Sequence, residues 1–215
     1  LKGLKYRTKK ERSRQTRTFA AVFVVVIALA AVVSVRAVSI GNEQRAVIEE
    51  ALTAPEVSIN APVADGLWVT GDSVILGIRA SLDAQKPISV MNARIGRQAP
   101  ELLEVMQSDK SEVGNSPVIF NLGNNGVLNR SDVQAIFELV KDQSQVIVVN
   151  TAVPRPWRDG NNALVAEVAQ QYSTVTLIDW NSISMGHPEY FAPDGIHLVP
   201  TGVAVYVGEI LKYLE

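Results

Sequence analysis

The sequence predicts an α/β domain, a parallel sheet covered by helices, preceded by a membrane-spanning helix. Three observations carry this prediction. From residue 66 onward, short β-rich runs alternate with stretches of helical spacing, the pattern of strand–helix crossovers. Runs such as VIVVN show no polar alternation, as expected of strands buried on both faces. Near the start, FAAVFVVVIALAAVVSV gives 17 residues without a charge at 19–35.

Taken in order, residues 1–17 hold eight basic side chains against one acid, Glu11. The stretch 18–40 has 23 residues interrupted only by Arg36. About 20 apolar residues at 1.5 Å rise cross a bilayer core, and Arg36 lies close enough to one end to snorkel. A cleaved signal peptide and a buried helix of a soluble protein are the rival readings. The long basic segment and the start at Leu1 speak against the first, and the neighbouring basic cluster against the second. The positive-inside rule puts 1–17 in the cytoplasm and everything after Ile40 outside. Residues 41–65 are expected to form a stalk, with a short helix in EQRAVIEEAL followed by TAPEVSINAPVADG, whose two prolines stop regular structure.

Beyond the stalk, strands are expected at 67–70, 88–92, 118–122, 145–150 and 175–179, and helices at 74–83, 98–107, 132–141, 163–171 and 202–214. Ser131 is the expected N-cap of the third helix. Composition narrows the chemistry. With no cysteine, disulfides, thiol catalysis and Cys-ligated metals are excluded, and two histidines make a multi-histidine metal site improbable. From residue 41 the chain holds 11 basic and 21 acidic residues. A net charge of −10 argues against nucleic acid as a partner.

In open parallel sheets, ligands bind beyond the carboxyl ends of the strands, and several motifs fall there. WVTGDSVILG puts Ser73 at the turn from the first strand into a helix, where its hydroxyl can be exposed and its N–H is one of the helix's free donors. The bland alternative is Ser73 as an ordinary N-cap. NARIGRQ puts Gly96 after the second strand, either as a close-approach position or a simple turn residue. FNLGNNG puts Asn125 after the third, as an amide donor or part of an Asn-Gly turn. FAPDGIHLVPTG sets Asp194 three residues before His197, so the carboxylate can orient the imidazole. If that pair reached Ser73, the set would supply nucleophile, base and orienter. His187, in SMGHPEY, shows no comparable carboxylate neighbour in the sequence.

The order of these four blocks after successive strands resembles the SGNH (GDSL-like) hydrolase superfamily. GDSVILG, NARIGRQ, NLGNNG, VPRPW and DW…DGIHL together resemble the extracytoplasmic domain of acyltransferase-3-type peptidoglycan O-acetyltransferases. One departure is Gly126, where many family members carry Asp. The resemblance covers about 66–215 and implies a three-layer α/β/α sandwich with a flavodoxin-like, five-stranded parallel sheet. It implies Ser73 as nucleophile, His197 as general base and acid, and Asp194 as its orienter. The oxyanion hole would combine the N–H groups of Ser73 and Gly96 with the amide of Asn125. Arg155, Trp157 and Arg158 would line the substrate side, Trp157 either stacking on a sugar or packing the loop. No metal or other cofactor is implied. The expected partners are a glycan acceptor, peptidoglycan foremost, and an acyl donor delivered by an upstream or partner membrane domain. The 18–40 span would then be the last membrane helix of a larger protein, with the catalytic domain on the extracytoplasmic side of the cell membrane. Two other functions stay open: a membrane-anchored carbohydrate acetylesterase with the same triad, and a non-catalytic surface glycan-binding module.

Overall fold

A computed structural model of the chain describes residues 57–60 and 66–214. The basic segment, the apolar span at 18–40 and most of the expected stalk lie outside the described residues. Among those described, no helix is long and apolar enough to cross a membrane.

The strands are β1 (Val57–Asn60), β2 (Leu67–Gly71), β3 (Ile88–Ala93), β4 (Val118–Asn121), β5 (Val146–Val149) and β6 (Val175–Ile178). The helices are α1 (Ser73–Asp83), α2 (Ala99–Asp109), α3 (Arg130–Val140), α4 (Arg158–Ala169), the short α5 (Trp180–Ile183) and α6 (Pro200–Leu211). They build one sheet of order β1-β3-β2-β4-β5-β6. Strands β2 to β6 are parallel and follow the flavodoxin-like order, second-first-third-fourth-fifth. The predicted parallel sheet is therefore present. The antiparallel edge strand β1, paired Val57 to Ala93 and Asn60 to Val90, stands inside the segment expected to be linker.

Each strand places alternate residues on opposite faces, and both faces are apolar. One face carries Trp68, Val90, Val118, Phe120, Val146 and Val148, covered by Leu102 and Met106 of α2, Ile136 and Phe137 of α3 and Val165 and Val168 of α4. The other carries Val69, Met91, Ile119, Ile147 and Val149, covered by Ile75 and Ile78 of α1 and Tyr206, Val207 and Ile210 of α6. Three layers follow directly from this two-sided burial.

Helix starts depart from the local expectation in three places. Asp72, not Ser73, caps α1: its carboxylate accepts the Val74 N–H at 2.9 Å. Asn129, not Ser131, caps α3, accepting from the Asp132 N–H at 2.9 Å. And α4 begins at Arg158, five residues before the expected Ala163. Its first turns contain Gly160, Asn161 and Asn162, poor helix formers. Their helical form is fixed from outside, because Asn161 holds the Gly126 carbonyl at 2.8 Å and Asn162 the Thr151 carbonyl at 2.8 Å.

The start of α6 presses against the segment before it. A Cβ on Gly202 would lie 2.1 Å from the backbone oxygen of Tyr190, which also accepts the Val199 N–H. Backbone cannot yield as a flexible side chain would. Gly202→Ala is expected to destabilise the fold by about 1–3 kcal/mol through overpacking. Gly208→Ala, on the same helix with open space around its Cβ, should instead stabilise by up to about 1 kcal/mol. Chemical denaturation of the two variants checks the contrast; similar midpoints would contradict it.

Candidate active site

The β2–α1 turn requires a glycine. A Cβ at Gly71 would stand 2.2 Å from Asn121 Oδ1 and 2.6 Å from Ile75 Cγ1. That close approach brings the end of β2 against the end of β4. Asp72 follows, buried, and Ser73 opens α1 half-exposed. As the first helical residue, Ser73 has an N–H with no intrahelical acceptor, at the positive end of the helix dipole. Its Oγ lies 2.9 Å from His197 Nε2.

His197 comes from the loop between the short 3₁₀ turn Pro188–Tyr190 and α6. The base of this loop is closed by a bridge between Phe191 and Leu198, and by the Ala192 N–H on the His197 carbonyl at 2.7 Å. Beneath it, Trp180 packs against Tyr190, Phe191 and Tyr206. Asp194 turns back within the loop: its Oδ1 accepts the N–H groups of Ile196 and His197 at 2.8 and 3.0 Å. Its Oδ2 is 2.6 Å from His197 Nδ1. A carboxylate at Nδ1 fixes the proton there and leaves Nε2 as acceptor for the Ser73 hydroxyl. The structure thus joins Ser73, His197 and Asp194 in one hydrogen-bonded chain at the carboxyl ends of the strands.

Burial works to raise the pKa of Asp194, but the hydrogen bonds from His197 and the two backbone N–H groups outweigh it, so the carboxyl titrates below its ordinary 3.8. A depressed carboxyl stabilises the folded state above its unfolded pKa, and that contribution is lost as pH falls through the folded value. Asp194→Asn is therefore expected to melt below wild type at neutral pH. The gap should narrow once the pH is under 3.8. Thermal melts across acid pH check this, and a gap that persists unchanged would contradict it.

His187 lies elsewhere. Contrary to the sequence expectation it does have a carboxylate neighbour, since its Nδ1 is 2.8 Å from Glu189 Oε1. The partner is two residues away on the 3₁₀ turn. The imidazole also stacks on Tyr190 with centroids 4.6 Å apart, committing both features to its own surface segment.

Gly96 sits in the loop after β3, in a turn where the Arg97 N–H bonds the Arg94 carbonyl at 3.3 Å. Its φ of +72° is the left-handed value that favours glycine at the third position of such a turn. The Arg94 N–H bonds the Gly71 carbonyl at 3.2 Å, which tethers this turn to the end of β2. Buried Arg97 adds a second tether. Its guanidinium donates to the Asn92 carbonyl at 2.7 Å, to Asn92 Oδ1 at 2.8 Å and to the Gly71 carbonyl at 3.3 Å.

Asn125 is in the same neighbourhood but is already engaged. Its Nδ2 donates to Asp72 Oδ2 at 2.9 Å and to the Arg97 carbonyl at 3.2 Å. Between the Gly96 turn and the loop after β4 opens a cavity of about 160 Å³, whose lining includes Asp72, Gln98, Leu102, Asn125, Gly126 and Leu128.

The three residues expected on the substrate side divide. Trp157 is half-buried, and its Nε1–H donates to the Gly123 carbonyl at 3.1 Å, so the indole braces the Asn125 loop. Arg158 opens α4 with its Nε 2.7 Å from Asp159. Arg155 is exposed in the loop after β5. That loop abuts the Asp194–His197 loop, since a Cβ on Gly195 would be 3.2 Å from Pro154.

Local motifs did not reveal buried Asp72, Arg97 and Asn121, with half-buried Asn124, as a polar layer under the site. The available signal was the run of asparagines at the end of one strand, FNLGNNG. Among the described residues no group of His, Asp and Glu side chains is arranged to hold a metal. The chemistry available to the arrangement is nucleophilic attack by a base-assisted serine.

No family model matches the chain. Over 149 residues it is 39% identical to a Staphylococcus aureus (strain MSSA476) protein with a provisional O-acetyltransferase name, covering 67% of this chain and 24% of that protein. Over 146 residues it is 36% identical to the peptidoglycan O-acetyltransferase OatA of Listeria monocytogenes, covering 67% of this chain and 23% of the relative. The chain thus spans about a quarter of the length of the curated relatives it matches. Among solved structures, the C-terminal catalytic domain of Streptococcus pneumoniae OatA, carrying a methylsulfonyl adduct, superposes with a TM-score of 0.61 at 24% identity, covering 71% of this chain and 94% of that one. The acetylxylan esterase Axe2 of Geobacillus stearothermophilus gives a TM-score of 0.55 at 14% identity, covering 73% and 95%. The fold is common to both.

Proposed function

The chain belongs to the SGNH (GDSL-like) hydrolase superfamily, and from that membership we propose that its C-terminal domain is a serine O-acyltransferase that moves an acetyl group to a hydroxyl of a cell-wall glycan, peptidoglycan foremost. The observation that carries the proposal is the unbroken chain from Asp194 Oδ2 through His197 to Ser73 Oγ, with links of 2.6 and 2.9 Å.

In this mechanism His197 Nε2 takes the hydroxyl proton as Ser73 Oγ attacks the donor's acyl carbonyl. Asp194 holds the imidazole in the required tautomer and balances the imidazolium that forms. The Ser73 and Gly96 N–H groups and the Asn125 amide are the donors for the tetrahedral oxyanion. On collapse the donor's leaving oxygen receives the proton from His197, and Ser73 carries the acyl group as an ester. A glycan hydroxyl then enters, gives its proton to His197, attacks the ester carbonyl, and departs acylated as the proton returns to Ser73. Arg155, in the loop beside His197, is assigned to the acceptor side.

The test uses the full chain with an activated acetyl ester, with and without a chitooligosaccharide, measuring acetylated sugar against free acetate. Acetylated sugar that rises with acceptor concentration at the expense of acetate is the expected result. Acetate alone at every acceptor concentration would replace transferase by esterase. One observation favours that second reading: the His197 and Asp194 side chains are 44% and 34% exposed, so water reaches the base directly.

The proposal includes an arrangement in the cell envelope. The span at 18–40 anchors the chain, 1–17 stays in the cytoplasm, and the domain from 66 onward works outside the membrane on acyl groups supplied by a membrane acyltransferase domain. The basic cluster beside an uncharged stretch supports this, as does an acceptor that lies in the cell wall.

A further inference from the structure

We propose that Asp72 is a positioning residue for the oxyanion hole, one buried carboxylate that holds the backbone-donor turn and the side-chain donor in register. The proposal rests on the acyl-transfer reading above and goes beyond it by naming what aims the donors.

The geometry is specific to the two oxygens. Oδ1 accepts the Val74 N–H at 2.9 Å and the Asn121 amide at 2.8 Å. It therefore fixes the first turn of α1, whose leading N–H belongs to Ser73, and ties that turn to the end of β4. Asn121 answers by accepting the Asp72 N–H at 3.2 Å. Oδ2 accepts the amides of Asn124 and Asn125, each at 2.9 Å. Asn124 is itself fixed from the other side, accepting from the Thr151 hydroxyl after β5. The carboxylate is thus a knot between the chain ends of β2, β4 and β5.

A buried anion beside a developing oxyanion opposes it electrostatically, so it is not through its charge that Asp72 helps the oxyanion. What it offers is anchorage. An Asn amide has two hydrogens. In Asn125 one is held by Asp72 at 2.9 Å, while the other rests more loosely on the Arg97 carbonyl at 3.2 Å. The looser hydrogen is the one that turns to the oxyanion while the first keeps the nitrogen in place. Four donors onto one carboxylate offset part of its desolvation cost. Burial still pushes the carboxyl above its ordinary value, against the pull of Asn121, Val74 and Asn124.

Asp72→Asn isolates the role. The Asn side-chain oxygen can still cap α1 at the Val74 N–H, but its nitrogen meets the Asn124 and Asn125 amides with a donor where an acceptor stood. With the activated acetyl ester, Asp72→Asn is expected to lower kcat by about tenfold or more, and Asn125→Ala by about 10²-fold, with KM little changed. The double variant should be within about twofold of Asn125→Ala alone, because Asp72→Asn keeps the cap of α1 and what it loses at the oxyanion acts through Asn125. Effects that multiply would overturn the proposal. So would a fully active Asn125→Ala enzyme. Should Asp72→Asn fail to fold, Asp72→Ser keeps a capping oxygen and deletes Oδ2, and the same comparison applies. A second readout is independent of turnover. The Asn125 side-chain amide protons should exchange slowly in the wild type and rapidly in Asp72→Asn by NMR, and equal exchange would overturn the clamp. A wild type that never acylates Ser73 would sink the acyl-transfer reading instead, leaving the exchange measurement to decide the clamp.

Discussion

Ser73→Ala is expected to lower acyl transfer by about 10⁴-fold or more, to the residual level a site retains from its oxyanion donors and binding alone. The loss follows from the mechanism, since without Oγ no covalent intermediate forms and water or a sugar must attack the donor directly. The fold should hardly notice. Ser73 is half-exposed at the first position of α1, and the cap of that helix is Asp72, so removing the hydroxyl opens no cavity. Circular dichroism melts of variant and wild type should coincide within about 2 °C. Substantial turnover by a folded Ser73→Ala protein would mean that another group is the nucleophile.

His197→Ala is expected to be nearly as severe, because an unassisted serine hydroxyl is a weak nucleophile at neutral pH. The variant leaves the backbone bonds of its loop intact, including the His197 N–H to Asp194 Oδ1, so the lesion is confined to the imidazole. His187→Ala is the matched control. It removes the other histidine, which is paired with Glu189 and stacked on Tyr190, and should leave the rate within about twofold. Comparable losses in both folded variants would overturn the choice of base.

The parallel sheet was legible in the sequence because its strands, such as VIFN and VIVV, are apolar on both faces and each is followed by a helix. What failed were segments whose structure is decided by distant partners. Strand β1 is four residues, VSIN, between two prolines, and its only claim to be a strand is its pairing with β3. The opening of α4 reads as a breaker because of Gly160, Asn161 and Asn162; it is a helix because those asparagines bond carbonyls in two other loops. At the site, Ser73 could be picked out because it stands just beyond a predicted strand, and Asp194 and His197 because their spacing is local. Asp72 could not be separated from its motif, since the bonds that give it meaning reach 49 to 53 residues along the chain. For Asn125, sequence left open an amide donor or an Asn-Gly turn residue, and the folded chain has its amide nitrogen donating to Asp72 and to the Arg97 carbonyl.

The central claim is that Ser73 carries the acyl group. The direct measurement is mass spectrometry of the full chain after brief exposure to an activated acetyl ester and acid quench, followed by peptide mapping. One acetyl group on the peptide containing Ser73, absent from Ser73→Ala and discharged when a glycan acceptor is added before the quench, is the predicted result. Ester turnover with no acetyl group on Ser73, or with the acetyl group on another residue, would contradict it.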